Sequence, residues 1–255
     1  MEWIILCKKI KYNIIYNYNI METKTPPKLR KVKDLEGDEK FEGLHPNLPK
    51  PPNMILLLGA IKSSKSNCII NFLLSKDFYL GRFEKVRVLS STLHMDNKGK
   101  LMNKHFDCDD HYEDMFIDAI VDEQGKYSKE ERPTYCLVMD DILDQSFCKR
   151  NSKLAFFITK MRHYLDMTII SSQSINHVPS LIRAQSTDIL VGRQNNEKEK
   201  IKIKEQYAGL LGENGDETFD RLYKEVHSTP YNFMYIRNTT NPAEVYFNFE
   251  RKIHP

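Results

Sequence analysis

The sequence predicts an α/β fold: a mainly parallel central sheet flanked by helices, closed by a C-terminal β-hairpin. Three observations carry this. Apolar runs of strand length alternate with longer amphipathic segments from residue 54 onward, the pattern of strands joined by helical crossovers. The runs are nearly continuous rather than alternating, which suits strands covered on both faces. Near the end, two strand-like pieces flank Asn238-Thr239-Thr240-Asn241-Pro242, whose residue types favour a hairpin turn.

In chain order, the predicted strands are 54–58, 86–91, 135–140, 168–172 and 188–192. Helices are predicted over 65–75, 112–123, 151–164 and 177–184, where apolar residues recur at helical spacing. Two polar helices, 196–211 and 215–226, then lead to strands 231–237 and 243–249. No internal repeat is visible.

The first 53 residues are expected to form an N-terminal extension and proline-rich linker, poorly ordered, ahead of one domain over 54–255. Residues 1–20 are rich in Ile, Tyr, Asn and Lys, and Lys8, Lys9 and Lys11 break the run Trp3-Ile4-Ile5-Leu6 too early for a secretory signal. Met21 opens a segment of different composition and is the expected natural start. Lys24, Lys28, Arg30, Lys31 and Lys33 make a basic stretch, read as a solvated tail or a nucleic-acid-contacting arm. His45-Pro46-Asn47-Leu48-Pro49-Lys50-Pro51-Pro52 is a stiff lead-in, since successive prolines fix φ and remove donors.

Composition sets wide bounds. The 255 residues are 40% hydrophobic and 29% charged, with a formal charge of +3, a balance that allows a nucleic-acid partner without demanding one. Five cysteines, Cys7, Cys68, Cys108, Cys136 and Cys148, contain no CxxC pair, which points to a reducing compartment rather than a disulfide or zinc framework. No apolar run reaches the length of a membrane span.

The chemistry begins at Gly59-Ala60-Ile61-Lys62-Ser63-Ser64-Lys65-Ser66. These residues fit G-x-x-x-x-G-K-[ST] except at the second glycine, which is Ser64. A loop of this kind aims backbone N–H groups inward, and the helix after it presents its positive end to phosphates. Lys65 would reach the β- and γ-phosphates of ATP, and the Ser66 hydroxyl would ligate Mg²⁺. The plain alternative is a serine-rich helix cap with Lys65 as an ordinary first-turn residue.

Tyr135-Cys136-Leu137-Val138-Met139-Asp140-Asp141 is an apolar strand ending in two carboxylates. Adjacent like charges repel, so stability alone does not favour the pair. In a Mg²⁺–nucleotide site, Asp140 would serve the cation through a water of its shell, and Asp141 would orient or deprotonate the attacking water.

The strand 86–91 lies between the phosphate loop and the acidic strand, which resembles the division of P-loop proteins containing RecA-like and AAA-like ATPases. The resemblance implies a further strand between the loop strand and the acidic strand, here Met167–Gln173, with Gln173 near the γ-phosphate. The stretch Met161-Arg162-His163-Tyr164-Leu165-Asp166-Met167-Thr168-Ile169-Ile170-Ser171-Ser172-Gln173 and then Val178-Pro179-Ser180-Leu181-Ile182-Arg183 resembles the genome-packaging ATPases of nucleo-cytoplasmic large DNA viruses, within the FtsK–HerA superfamily. It extends from about Pro52 to about Arg193, and Ser64 departs from that family's usual glycine.

The resemblance implies a RecA-like P-loop NTPase that hydrolyses ATP with Mg²⁺ and pumps double-stranded DNA into a capsid. It also implies a homo-oligomeric ring, capsid or portal-vertex partners, and a place in the virion or at the viral assembly site in the host cytoplasm. A neighbour in the ring would supply an arginine, Arg183 first, with Arg162 and Arg193 behind it. Loop candidates for DNA contact are Lys98, Lys100, Lys104, Lys126 and Lys129, with the arm Lys24–Lys33 as a second source. Two competing readings remain: a degenerate P-loop assembly subunit with little or no hydrolysis, motivated by Ser64, and a small-molecule kinase. The kinase fits poorly, because residues 193–204 alternate Glu and Lys instead of supplying an arginine-rich lid.

Overall fold

The computed structural model describes residues 38–144, 146–149 and 152–253. The expectations for residues 1–20, for Met21 and for the arm Lys24–Lys33 lie outside the described residues. The compact unit runs from Asp38.

Strand β1 (Asn53–Leu58) leads through the loop at Gly59 into helix α1 (Lys65–Leu74). The chain continues through β2 (Lys85–Ser90), α2 (Asn97–His105), β3 (Asp107–Asp109), α3 (Asp114–Gln124) and β4 (Tyr135–Asp140). Next come α4 (Lys153–Lys160), β5 (Met167–Ser172), α5 (Ser180–Gln185) and β6 (Asp188–Gly192). Helices α6 (Glu197–Tyr207) and α7 (Gly215–Val226) precede β7 (Phe233–Arg237), β8 (Glu244–Phe247) and β9 (Arg251–Ile253).

Among the described residues one nine-stranded sheet forms, in the order β3-β2-β4-β5-β1-β6-β7-β8-β9. The first six strands are mutually parallel, and β7, β8 and β9 add on antiparallel. The fold class is therefore as the sequence predicts. Strand β5 lies between β1 and β4, with Leu58 opposite Ser172 and Ser171 opposite Asp140.

Strand β1 shows why the runs are continuous. Ile55 and Leu57 pack with Ile69 and Phe72 of α1 on one face. Met54, Leu56 and Leu58 join a core on the other face that includes residues of α3 to α7. Successive strand side chains point to opposite faces, so a strand covered twice must be apolar throughout. Each such side chain contributes about 1.5–3 kcal/mol on full burial.

Three features differ from the sequence reading. Helix α2 and the short β3 were not expected, because Asn97–His105 carries few apolar residues and an internal glycine. The helix forms because the Asp96 side chain accepts from Gly99 N at 2.7 Å and Met102 is buried. Gly99 lies so close to Leu93 that a Cβ would sit 2.2 Å from its carbonyl oxygen. Lys98, Lys100 and Lys104 therefore stand on a helix, not in loops, while Lys126 and Lys129 occupy the turn region after α3. Strand β3 is held to the edge by Arg87, which pairs with Asp107 at 3.3 Å and Asp109 at 2.6 Å.

The segments 151–164 and 196–211 each end in a 3₁₀ turn, Met161–His163 and Ala208–Leu211, after a shorter α-helix. The expected C-terminal hairpin is present as β7 and β8, and β9 extends it by one strand.

The proline-rich lead-in is fastened to the body. Leu48 is buried, the Tyr79 hydroxyl donates to the Pro49 carbonyl, and Arg237 donates to the carbonyls of Pro46 (3.0 Å) and Leu48 (3.1 Å). Among the described residues no helix is long and apolar enough to cross a membrane.

Candidate active site

Parallel strands end together, so one edge of the sheet collects Leu58, Ser90, Asp140, Ser172 and Gly192. In open α/β sheets ligands bind outside these carboxyl ends. The loop from Gly59 crosses this edge and is pinned to both neighbouring strands. Gly59 N donates to Ser172 O and Ala60 N to Arg193 O, each at 3.2 Å, and Ser63 N donates to Ala60 O at 3.1 Å.

Gly59 and Ser64 each face a strict demand in this loop. A Cβ on Gly59 would lie 2.2 Å from Ser63 Oγ, so only glycine lets the loop fold back this tightly. Ser64, at the departure from the phosphate-loop pattern, has φ +76° and ψ 12°. This is the left-handed region that glycine enters freely and other residues enter at a cost. The serine thus keeps the glycine conformation. Its side chain does not cap α1, so the serine-cap alternative fails at Ser64, and the helix presents its first N–H groups toward the loop.

Lys65 begins α1 with its side chain only 9% exposed. Its Nζ donates to Gly59 O at 2.8 Å and lies 3.7 Å from Asp141 Oδ2, an ion pair longer than a hydrogen bond. Burial pushes the Lys65 amine below its ordinary range, while Asp141 and Asp140 pull it back up. A lysine held beneath a loop and facing carboxylates is poised to exchange these partners for a phosphate.

The two carboxylates have different surroundings, which fits different tasks. Asp140 is 2% exposed; it accepts from the Ser171 hydroxyl and from Ser90 Oγ at 3.3 Å. Burial raises its pKa, opposed by the Ser171 hydrogen bond; Asp141 adds to the rise and Lys65 counters it. Asp141 follows the strand in a left-handed conformation, φ +50°. Its backbone N donates to Ser171 O at 3.2 Å, and its carbonyl accepts from Ser91 Oγ at 3.0 Å. Its carboxylate accepts from Gln173 Nε2 at 3.1 Å. The structure therefore brings Lys65, Asp140, Asp141 and Gln173 together at the phosphate-loop edge.

Ser66 lies in the first turn of α1. With Asp140 it offers a hydroxyl and a buried carboxylate, the hard oxygen donors that Mg²⁺ prefers. Among the described residues no three His, Cys, Asp or Glu side chains are placed to hold a metal ion, so a cation here would draw its remaining ligands from phosphates and water.

The three arginines separate. Arg183, on α5, donates to Gln206 Oε1 at 2.9 Å. That helix descends to Thr187, whose N donates to Met54 O at the start of β1, so Arg183 stands toward the opposite edge of the sheet. Arg162 also lies at that edge, in the turn before β5. Arg193 alone of the three follows a strand at the phosphate-loop edge, exposed and with its carbonyl bonded to Ala60. Arg183 does not join the cluster within one chain.

Sequence reasoning passed over Ser90 and Ser171, which hold Asp140, and Ser91, which holds the Asp141 backbone. The available signal was a polar end on each otherwise apolar strand: Ser90-Ser91 after Leu89 and Ser171-Ser172 after Ile170.

No protein-family model and no curated protein matches this sequence. Among solved structures the chain is similar to B204, the DNA-packaging ATPase from Sulfolobus turreted icosahedral virus, with TM-score 0.54 and 13% identity over 81% of this chain and 100% of that one. The genome-packaging NTPase B204 of Sulfolobus turreted icosahedral virus 2 in complex with AMPPCP is similar at TM-score 0.54 and 13% identity, over 77% of this chain and 97% of that one. Its complex with ATPγS gives TM-score 0.51 at 13% identity, covering 77% and 96%. At this identity the likeness establishes the architecture: the chain has the fold of these viral genome-packaging NTPases.

Proposed function

We propose that this protein is an ATP-hydrolysing motor that translocates double-stranded viral DNA into a capsid. The observation that carries the proposal is the meeting of Lys65, Asp141 and Gln173 on one edge of the sheet, beneath a phosphate loop that keeps its left-handed turn at Ser64. The fold neighbour B204, named as a genome-packaging NTPase and seen with ATP analogues, supports the choice among P-loop activities.

In this reading the backbone of Gly59–Ser66 and the Lys65 amine hold the β- and γ-phosphates. Asp141 orients the attacking water and accepts its proton, and Gln173 fixes the Asp141 carboxylate through the 3.1 Å hydrogen bond. Ser66 and Asp140 would hold Mg²⁺, which neutralises charge developing on the phosphates. A ring of copies would complete each site with an arginine from a neighbour. Arg183 is the family-based candidate, and Arg193 is the one beside a phosphate loop. Sequence-neutral lysines would grip the DNA phosphates, with partner proteins at the capsid or portal vertex. The motor would work in the virion or at the assembly site in the host cytoplasm.

One observation favours a second reading, a nucleotide-binding assembly subunit with little hydrolysis: a serine strained into the glycine conformation at Ser64. Steady-state ATP turnover of wild type, Lys65→Ala and Asp141→Asn, with double-stranded DNA present, separates the two. The motor requires turnover that both variants abolish. Equal background rates in all three leave the assembly subunit.

A further inference from the structure

A cavity of about 780 Å³ opens beside α1 and continues away from the phosphate loop. Its walls include Ser64, Asn67 and Asn71 on one side and Tyr231, Phe233 and Phe249 on the other. A narrow cleft lined by Lys65 and Gly192 shares Ser64, Cys68 and Phe233 with it, so the cavity borders the loop. Its position is fixed by the sheet order. Asp140 and Gln173 lie on the β4 and β5 side of β1, whereas Phe233 opposes Gly192 on the β7 side. A nucleotide with its terminal phosphate at Lys65 and Asp141 would therefore extend its sugar and base into this cavity.

Resting on the phosphate-site reading, we propose that the cavity is the nucleoside half of the site, that Tyr231 stacks on the base, and that Asn71 selects adenine over guanine. Tyr231 is 70% exposed although it is a large aromatic, and its φ is +69°. A bulky residue in that region is a strained outlier, so the turn presents the ring at the cavity mouth against its own preference. The neighbouring Asn232 anchors that turn, donating to Val226 O at 3.3 Å and accepting from Asn248 Nδ2 at 3.1 Å. An exposed aromatic face on an anchored turn suits base stacking.

Asn71 supplies the discrimination. Its Nδ2 commits one of its two protons to Asn67 O at 2.8 Å, so at the cavity it lines Asn71 keeps its Oδ1 as an acceptor and a single remaining donor. Adenine presents an exocyclic amine donor where guanine presents a carbonyl acceptor. Asn71 stands seven residues after Ser64, about 10 Å down the helix at 1.5 Å per residue, clear of the phosphates and within the nucleoside half.

The test is calorimetric binding of three Mg²⁺-loaded probes: the methylene-bridged ATP analogue, its guanine counterpart, and inorganic tripolyphosphate. Tyr231→Ala should weaken the adenine analogue about tenfold and leave tripolyphosphate within about twofold. Asn71→Leu, exposed on a helix, should abolish the preference for adenine over guanine. The inference is overturned if wild type binds the nucleotide analogues no more tightly than tripolyphosphate, or if both variants bind the adenine analogue as wild type does. If tripolyphosphate binds and Lys65→Ala abolishes that binding, such a failure falls on the nucleoside inference alone. If wild type binds none of the three probes, the phosphate-site reading falls and takes the inference with it.

Discussion

Replacing Ser64 by glycine should make the protein more stable, although it removes a side chain. Ser64 holds φ +76°, and an L-residue in the left-handed region costs roughly 1–2 kcal/mol. Glycine removes that cost and gives back roughly 0.5–1 kcal/mol through its greater freedom in the unfolded chain. No capping bond is lost, because the Ser64 side chain makes none to α1. The net gain is about 0.5–1 kcal/mol, and for a chain of this size a kcal/mol moves the melting midpoint by about 2–4 °C. Differential scanning calorimetry at neutral pH should therefore show Ser64→Gly melting about 1–4 °C above wild type. Lys62→Gly is an independent control, since Lys62 also has a positive φ of 64° and should shift in the same direction. A midpoint below wild type for Ser64→Gly would refute the claim that the serine is strained. Turnover by the same variant then reads the consequence: a several-fold rise marks the natural loop as a slowed motor.

Three further outcomes follow from the geometry. Gly59→Ala should lower stability by about 1–3 kcal/mol through overpacking against Ser63, and adding Ser63→Gly should recover most of the loss in a urea titration. Asp140→Asn should abolish ATP turnover yet raise the melting midpoint at pH 7. Burial raises the Asp140 pKa, so ionised Asp140 costs stability at neutral pH, and that cost fades as pH falls through its folded value toward the unfolded one. His227, pushed by burial from 6.5 to about 4, binds its proton less well folded than unfolded. Its contribution is fully present above pH 6.5 and is lost as pH falls toward 4, on the order of 3 kcal/mol; His227→Leu should flatten that part of the pH–stability curve in urea titrations.

Strands were legible where burial on both faces forces an unbroken apolar run, as at Met54–Leu58 and Tyr135–Met139. Helix α2 was hidden because its stability comes from Asp96 and from Met102 in the core, with only a weak apolar stripe in Asn97–His105. At the candidate site, the meeting of the loop with the carboxylates was legible because both stand in a pattern of residue type and spacing, the one a phosphate site would require. The serines that hold Asp140 could not be assigned, since their partner depends on β5 lying between β1 and β4. Arg193 beside Ala60 was likewise a matter of strand order, not of motif. The cavity at Tyr231 joins residues far apart in the chain, and nothing local in the sequence marks it.

The most direct test of the central claim is the dependence of ATP hydrolysis by the full chain on double-stranded DNA. The account predicts turnover that rises with added DNA, saturates, weakens with increasing salt, and disappears in Lys65→Ala. Turnover indifferent to DNA, or equal in wild type and Lys65→Ala, would contradict it.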